Sequence, residues 1–179
     1  PMGGCDPRGL VQSFYSDSPV DLNQRGLEKA GMPILSGIVP PKLEEIACHN
    51  SWKTVAIADD DELAVLNSIP TAEGAVRLAQ ERSARTIHGS VALVMGLGRC
   101  GTTLARLLAN MGARVYVLAR QRRDLARAIA DGYIPVRPSE LKHAVAKMDY
   151  IFNTIPAPIL PEALLAKTRP DVVIIDIAS

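Results

Sequence analysis

The residues with the clearest chemical meaning form a glycine pattern at positions 96–101, with the sequence G-L-G-R-C-G. An apolar, strand-like stretch precedes it and an amphipathic, helix-like stretch follows it, which is the context that a dinucleotide-binding GxGxxG loop requires. Gly96 permits the tight turn, Gly98 lets the backbone approach a pyrophosphate, and Gly101 lets the helix pack closely on the strand. The pattern predicts a dinucleotide-binding loop; the alternative is a tight turn that binds nothing.

Arg99 and Cys100 lie inside this loop, at the predicted start of the helix. The free N–H groups of a helix N-terminus attract phosphate, and a guanidinium adds a formal positive charge. We therefore expect both residues to contact the cofactor. Arg99 is expected to act on phosphate, and Cys100 as a packing residue of the loop rather than as a redox group.

A basic run follows the next predicted strand, Arg114–Leu118, and comprises Ala119, Arg120, Gln121, Arg122 and Arg123. Domains that bind NAD normally carry an acid at this point, which binds the ribose 2′-hydroxyl, and no acid stands here. Guanidinium groups instead suit a 2′-phosphate. The run predicts NADP, with NAD as the alternative, and favours Arg120; a solvated helix surface is the other interpretation of Arg122 and Arg123.

The remaining predicted cofactor contacts follow two later strands. Ligands of parallel α/β sheets lie beyond the carboxyl ends of the strands. We therefore expect contacts from the turn after the fourth strand and from the end of the fifth, which are Asn153, Thr154, Ile155, Pro156 and Ser179.

Strand-like and helix-like stretches alternate from His88 onward, with strands predicted at 91–95, 114–118, 133–136, 150–154 and 172–177. Apolar strands alternating with helices indicate a parallel sheet covered on both faces. The sequence thus predicts an α/β chain with a Rossmann-type doubly wound sheet. We place this NAD(P)-binding domain at 88–179, truncated at its C-terminal end. A linking helix at 71–87 starts after Pro70, and a partial α/β domain with strands at 33–38 and 54–58 covers 1–70.

Composition excludes several classes of protein. The 179 residues are 47% hydrophobic and 22% charged, which allows a packed core and argues against disorder. No apolar run approaches a membrane span, no export signal is evident, and three scattered cysteines fit the reducing cytoplasm and form no metal site. Residues 71–179 carry 15 Lys or Arg against 9 Asp or Glu. Few aromatic residues accompany this basic half, which disfavours nucleic acid as a partner.

Five motifs in order resemble the dipicolinate synthase A-subunit family: N-S-I-P-T-A-E-G at 67–74, T-I-H-G-S at 86–90, G-L-G-R-C-G-T-T-L-A-R at 96–106, F-N-T-I-P at 152–156 and I-D-I-A-S at 175–179. The family commonly has Thr where Cys100 stands, and often a single Arg after the second strand. The resemblance implies a fragment, truncated at both ends and poorly active alone. It also implies a dehydrogenase component that forms dipicolinate with a flavoprotein-like B subunit, in the mother cell of a sporulating bacterium.

The implied reaction oxidises a small dihydrodipicolinate-level dicarboxylate, which needs donors for two carboxylates and a modest base. The catalytic candidates lie at the domain junction, facing the expected interdomain cleft: Glu73 as base, with Ser68 and Thr71. Other hypotheses are a hydroxyacid dehydrogenase, an adenosylhomocysteine hydrolase-type enzyme, or an NADP(H)-sensing module without turnover. Self-association into a homo-oligomer is left open.

Overall fold

The computed structural model describes residues 5–12, 17–23 and 33–178. The chain divides into two compact units, Pro1–Ala64 and Val65–Ser179. Within the described residues, no helix combines the length and the apolar character needed to cross a bilayer.

The N-terminal unit is a small α/β assembly. Its first two strands, β1 (Leu10–Val11) and β2 (Val20–Asp21), pair antiparallel. Strands β3 (Ile34–Ser36) and β4 (Thr54–Ala56) pair parallel, as expected for strands joined through a helix. That helix, α1 (Pro41–His49), begins with proline, whose fixed φ suits the first helical turn. A 3₁₀ turn, Ile57–Asp59, follows the unit's last strand.

Helix α2 runs from Asp61 to Glu81, which corrects the predicted linking helix. The prediction started that helix after Pro70, because proline lacks the N–H that an interior helical position donates. Two signals outweigh this cost. Asp60 Oδ1 accepts the Leu63 N–H at 3.0 Å and so caps the true start. Beyond the proline, a stripe of small residues is buried at Ala72, Ala75, Val76 and Ala79.

The C-terminal unit is built on five parallel strands in the order β7-β6-β5-β8-β9. These strands are β5 (Val91–Met95), β6 (Arg114–Leu118), β7 (Ile134–Val136), β8 (Tyr150–Asn153) and β9 (Val173–Asp176). The order reverses between β5 and β8, which places a topological switch point beside the central strand. The predicted Rossmann-type doubly wound sheet is confirmed.

Helices connect these strands. They are α3 (Arg99–Asn110), α4 (Arg122–Ala130), α5 (Leu141–Ala144) and α6 (Glu162–Leu165). Two 3₁₀ turns, Pro138–Glu140 and Val145–Lys147, flank α5. The register aligns Met95 of the central strand with Leu118 on one side and Asn153 on the other, so the three strands end at one edge.

Both faces of the sheet are covered, because alternate residues of the central strand enter different cores. Ala92 and Val94 join a cluster that contains Leu104 and Leu108 of α3. Leu93 and Met95 join a second cluster on the opposite face, with Leu141, Met148 and Ile151. Burial on both faces explains why the sequence of β5 is an uninterrupted apolar run.

Charged side chains gather at the opposite, amino-terminal edge of the sheet. Asp149 Oδ2 accepts the Val91 N–H at 2.8 Å, and its Oδ1 lies 3.4 Å from Nη1 of both Arg85 and Arg169. Asp171 joins them, 3.0 Å from Arg169 Nε and in contact with Arg85. We call these four residues, Arg85, Asp149, Arg169 and Asp171, the edge cluster.

The edge cluster predicts a dependence of stability on pH. Hydrogen bonds from Arg169 and Arg85 lower the pKa of Asp171 well below its ordinary value. A lowered folded-state pKa stabilises the fold above the unfolded pKa of 3.8, and this stabilisation is lost as the pH falls toward the folded value. We expect the Tm to drop between about pH 5 and about pH 2, and Asp171→Asn to flatten that drop. Calorimetry across this range checks it, with the exposed Glu162→Gln as control; equal slopes in both variants would contradict the role of Asp171.

Candidate functional site

The glycine loop connects β5 to α3 at the carboxyl edge of the sheet. Gly96 has φ +98°, and its N–H donates to the Leu118 carbonyl at 2.9 Å. A Cβ on Gly96 would lie 2.8 Å from Thr154 Oγ1. At Gly101 a Cβ would lie only 2.2 Å from the Gly96 carbonyl oxygen. The two glycines therefore allow the turn and the close packing that the motif predicts.

Gly98 differs from these two glycines because space surrounds it. It precedes the first turn of α3 with φ −77°, and a Cβ there would meet no atom within 4 Å. Gly98 has no side chain and makes no side-chain cap hydrogen bond to the start of α3. This open backbone at a helix N-terminus fits a pyrophosphate group.

A cavity of about 290 Å³ opens beside the loop. Its walls come from the ends of β5, β6, β7 and β8 and are mainly apolar. The lining residues are Gly96, Leu97, Leu118, Ala119, Arg120, Gln121, Asp124, Pro138, Leu141, Ile155, Ala157 and Ile159. Apolar walls with a few polar groups are typical of small-molecule sites, and this position matches the ligand crevice of doubly wound sheets.

The structure separates the three arginines of the basic run. Arg120 lines the cavity with an exposed side chain, and within the described part of the chain no group pairs with its guanidinium. Arg122 opens α4 outside the cavity lining. Arg123 lies 3.4 Å from Asp124, from Nε to Oδ1. Ala119 is buried against the cavity. This geometry favours Arg120 as the cation beside a ligand.

The turn after β8 braces the loop. Thr154 Oγ1 donates to the Met95 carbonyl at 2.9 Å, which ties the turn to the end of β5. The buried Asn153 amide accepts the Ile155 N–H and donates to Asp176 Oδ1. Ile155 lines the cavity and Pro156 is exposed. Direct cofactor contacts from these residues stay predictions, and for Asn153 the structure shows a bracing hydrogen-bond network.

Three other predicted contacts differ in their placement. Arg99 is exposed at the first position of α3, and Cys100 is half-buried beside it as a free thiol. Ser179 lies outside the described residues. Their contacts with a cofactor stay predictions.

The predicted catalytic residues lie on α2. Ser68 is fully buried, with its hydroxyl 2.6 Å from the Val65 carbonyl and 2.6 Å from Thr103 Oγ1, so it joins α2 to α3. Thr71 Oγ1 donates to the Asn67 carbonyl at 2.8 Å. The expected helix start at Thr71, with free N–H groups for a carboxylate, does not exist because α2 is continuous there. Glu73 is exposed. Catalytic roles for the three residues stay predictions.

Several lining residues were missed by the sequence reasoning. Pro138 and Leu141 follow β7, and the rule that ligands lie beyond strand ends could have identified them. Asp124 lies four residues after Arg120, in the first turn of α4. That spacing is visible in the sequence, but the basic character of the three arginines before Asp124 obscures the single acid.

A parallel doubly wound sheet, a glycine loop at its central strand and a cavity at its carboxyl edge define a nicotinamide-dinucleotide-binding domain of the dehydrogenase class. Residues 63–179 match the family described as "D-isomer specific 2-hydroxyacid dehydrogenase, NAD binding domain", and the chain belongs to this family.

Among individual proteins, the chain is similar to the A subunit of dipicolinate synthase from Bacillus subtilis (strain 168), with 40% identity over 181 residues, 100% of this chain and 61% of that protein. The crystal structure of the Bacillus subtilis protein superposes with a TM-score of 0.88, at 40% identity, covering 100% of this chain and 61% of that one. The crystal structure of the Bacillus halodurans counterpart gives a TM-score of 0.89 at 34% identity, with 100% and 62% covered.

These comparisons confirm the family resemblance that the five motifs indicate. This chain spans about three fifths of the length of these relatives, 61% for the Bacillus subtilis protein.

Proposed function

We propose that this chain is the nicotinamide-binding part of an oxidoreductase component that forms dipicolinate from a dihydrodipicolinate-level intermediate, with NADP as the hydride carrier. The similarity to the dipicolinate synthase A subunit supports the reaction, and membership of the NAD-binding family supports the class of cofactor. The choice of NADP rests on this chain's own cavity.

The observation that carries the proposal is the charge at the end of β6. Arg120 lines the cavity where NAD-binding domains usually place a carboxylate, and its guanidinium has no protein partner within the described residues. A guanidinium presents a planar fork of donors that matches phosphate oxygens. A 2′-phosphate on the adenosine ribose would supply the partner that the protein does not.

When bound, a nicotinamide would serve as the acceptor for the hydride that the substrate gives up as it also loses a proton and becomes aromatic. The protein binds and orients the two reactants. The first turn of α3 and the open Gly98 backbone hold the pyrophosphate, with Arg99 near it. Glu73 is the proposed base, and Ser68 and Thr71 are the other proposed catalytic residues on α2.

The proposed setting follows the relatives. The substrate is a small dicarboxylate, and the partner is a flavoprotein-like B subunit. The compartment is the cytoplasm, in the mother cell of a sporulating bacterium. The proposal includes no nucleic-acid partner and no membrane partner, and a homo-oligomer is compatible with it.

Parallel fluorescence titrations with NADPH and NADH test the cofactor. We expect NADPH to bind more tightly in the wild type, and Arg120→Asp to weaken NADPH by about 100-fold, because a charged hydrogen bond becomes a repulsion. NADH should change little. Arg122→Asp is the matched control, because it makes the same change of charge two residues away, outside the cavity lining.

Equal losses of NADPH affinity in both variants, or equal binding of NADPH and NADH by the wild type, would contradict NADP as the cofactor. An NAD-type dehydrogenase would then be the favoured class. Once binding is established, turnover of a dihydrodipicolinate-level substrate with the B subunit tests the reaction. Tight NADPH binding without such turnover would instead favour the NADP(H)-sensing module.

A further inference from the structure

The cavity that holds Arg120 also holds a carboxylate. Asp124 lies four residues after Arg120 along the chain, in the first turn of α4, and is part of the same lining. Its side chain is 31% exposed, so its charge is partly shielded from solvent. A negative charge in the lining of the cavity proposed for a 2′-phosphate opposes that ligand electrostatically.

Asp124 also engages a nearby cation. Arg123 Nε lies 3.4 Å from Asp124 Oδ1, while the Arg123 side chain is 81% exposed. An arginine held in such a pair has part of its charge compensated before any ligand arrives. The pair therefore reduces the positive potential that the basic run offers to a phosphate.

We infer that Asp124 is a specificity-determining residue that weakens the preference for a 2′-phosphate over a 2′-hydroxyl. It acts against the phosphate directly, by repulsion within the shared cavity, and indirectly, by holding Arg123. A carboxylate also accepts hydrogen bonds, which a ribose 2′-hydroxyl donates and a 2′-phosphate does not. All three effects move selectivity toward the unphosphorylated nucleotide. The inference rests on the proposed function, since it concerns the same site.

The competing explanation is structural. An acid in the first turn of a helix stabilises the helix through its dipole, whatever binds nearby. That role predicts a lower Tm on removing the charge and no change in the ratio of affinities for the two nucleotides. The two explanations therefore differ in a measurable ratio.

The test uses 2′,5′-ADP and 5′-AMP, which differ only in the 2′-phosphate and lack the nicotinamide, so catalysis does not enter. Their Kd values are measured by displacement of NADPH. We expect Asp124→Asn to raise the ratio of the Kd of 5′-AMP to that of 2′,5′-ADP by about fivefold, the size of one solvent-screened charge interaction. The affinity for NADPH should rise by a similar factor relative to the affinity for NADH.

Asp131→Asn is the matched control, because Asp131 forms an equivalent pair at the other end of α4, 3.4 Å from Arg127 Nε and 34% exposed, outside the cavity lining. The ratio of the Kd of 5′-AMP to that of 2′,5′-ADP should be unchanged in this control.

Asp124→Ser, which introduces a neutral residue suited to a first helical turn, repeats the test if the Asn variant folds poorly. An unchanged ratio in a protein that binds NADPH overturns the role of Asp124 alone. A wild type that binds neither NADPH nor NADH overturns the proposed function and this inference together.

Discussion

Gly101→Ala is expected to destabilise the C-terminal unit by about 3 kcal/mol, which for a unit of this size lowers the Tm by about 10 °C. The added Cβ would lie 2.2 Å from the Gly96 carbonyl oxygen and 3.0 Å from its carbon. Both neighbours are backbone atoms of a turn that is itself tied to β6 through Leu118. Because no flexible side chain can move aside, either the loop or the start of α3 must shift.

Thermal unfolding followed by circular dichroism measures this effect. Gly74→Ala is the matched control, because Gly74 is also helical and a Cβ there meets nothing within 4 Å. Alanine is the better helix former, so the Tm of Gly74→Ala should stay level or rise. Similar Tm values for the two variants would show that the loop tolerates a Cβ and that the packing argument for Gly101 is wrong.

The sheet was predictable because its strands obey simple rules of burial. Strands β5 and β6 have the bounds that the apolar runs indicated, Val91–Met95 and Arg114–Leu118. Both are interior strands of the sheet, and apart from the exposed Arg114 at the start of β6 their residues form apolar runs. Strands β7, β8 and β9 are each one or two residues shorter than predicted.

Helix α2 shows where local rules fail. Pro70 is a strong local signal against a helix interior, and the prediction obeyed it. The helix nevertheless continues through Pro70. Asp60 caps it before the proline, and small residues of the helix are buried after the proline. Burial of a helix face against a core is a tertiary effect, so the residues adjacent to Pro70 in the sequence do not reveal it.

The candidate site also combines residues that local sequence predicts with residues that only the tertiary structure brings together. The loop glycines and Arg120 were accessible from the sequence because their roles depend on spacing along one strand-loop-helix unit. The far wall of the cavity, from Pro138, Leu141 and Ile159, comes from other connections that only the sheet order brings together. The sequence already favoured Arg120 among the three arginines, and the structure adds that Arg120 lines the cavity whereas Arg123 pairs with Asp124.

Gly98→Ala is expected to fold as the wild type does and to bind NADPH about tenfold to a hundredfold more weakly. The φ of −77° is ordinary for alanine, and the new Cβ meets no protein atom within 4 Å. That empty volume is where the proposed pyrophosphate approaches the backbone, so the methyl group overpacks the complex and leaves the free protein unchanged. Overpacking of this kind costs about 1 to 3 kcal/mol, which sets the expected loss of affinity.

Two measurements on the same samples check this expectation: the Tm by circular dichroism and the Kd for NADPH by fluorescence. Gly74→Ala again serves as the control, since it adds the same methyl group at a position with equal space but on α2, outside the glycine loop. An unchanged Kd would mean that the phosphate does not approach the Gly98 backbone and that the loop is only a tight turn. A lowered Tm would mean that the space around Gly98 serves the fold. A wild-type Tm together with weaker binding of NADPH would show that the open backbone at Gly98 is reserved for a ligand.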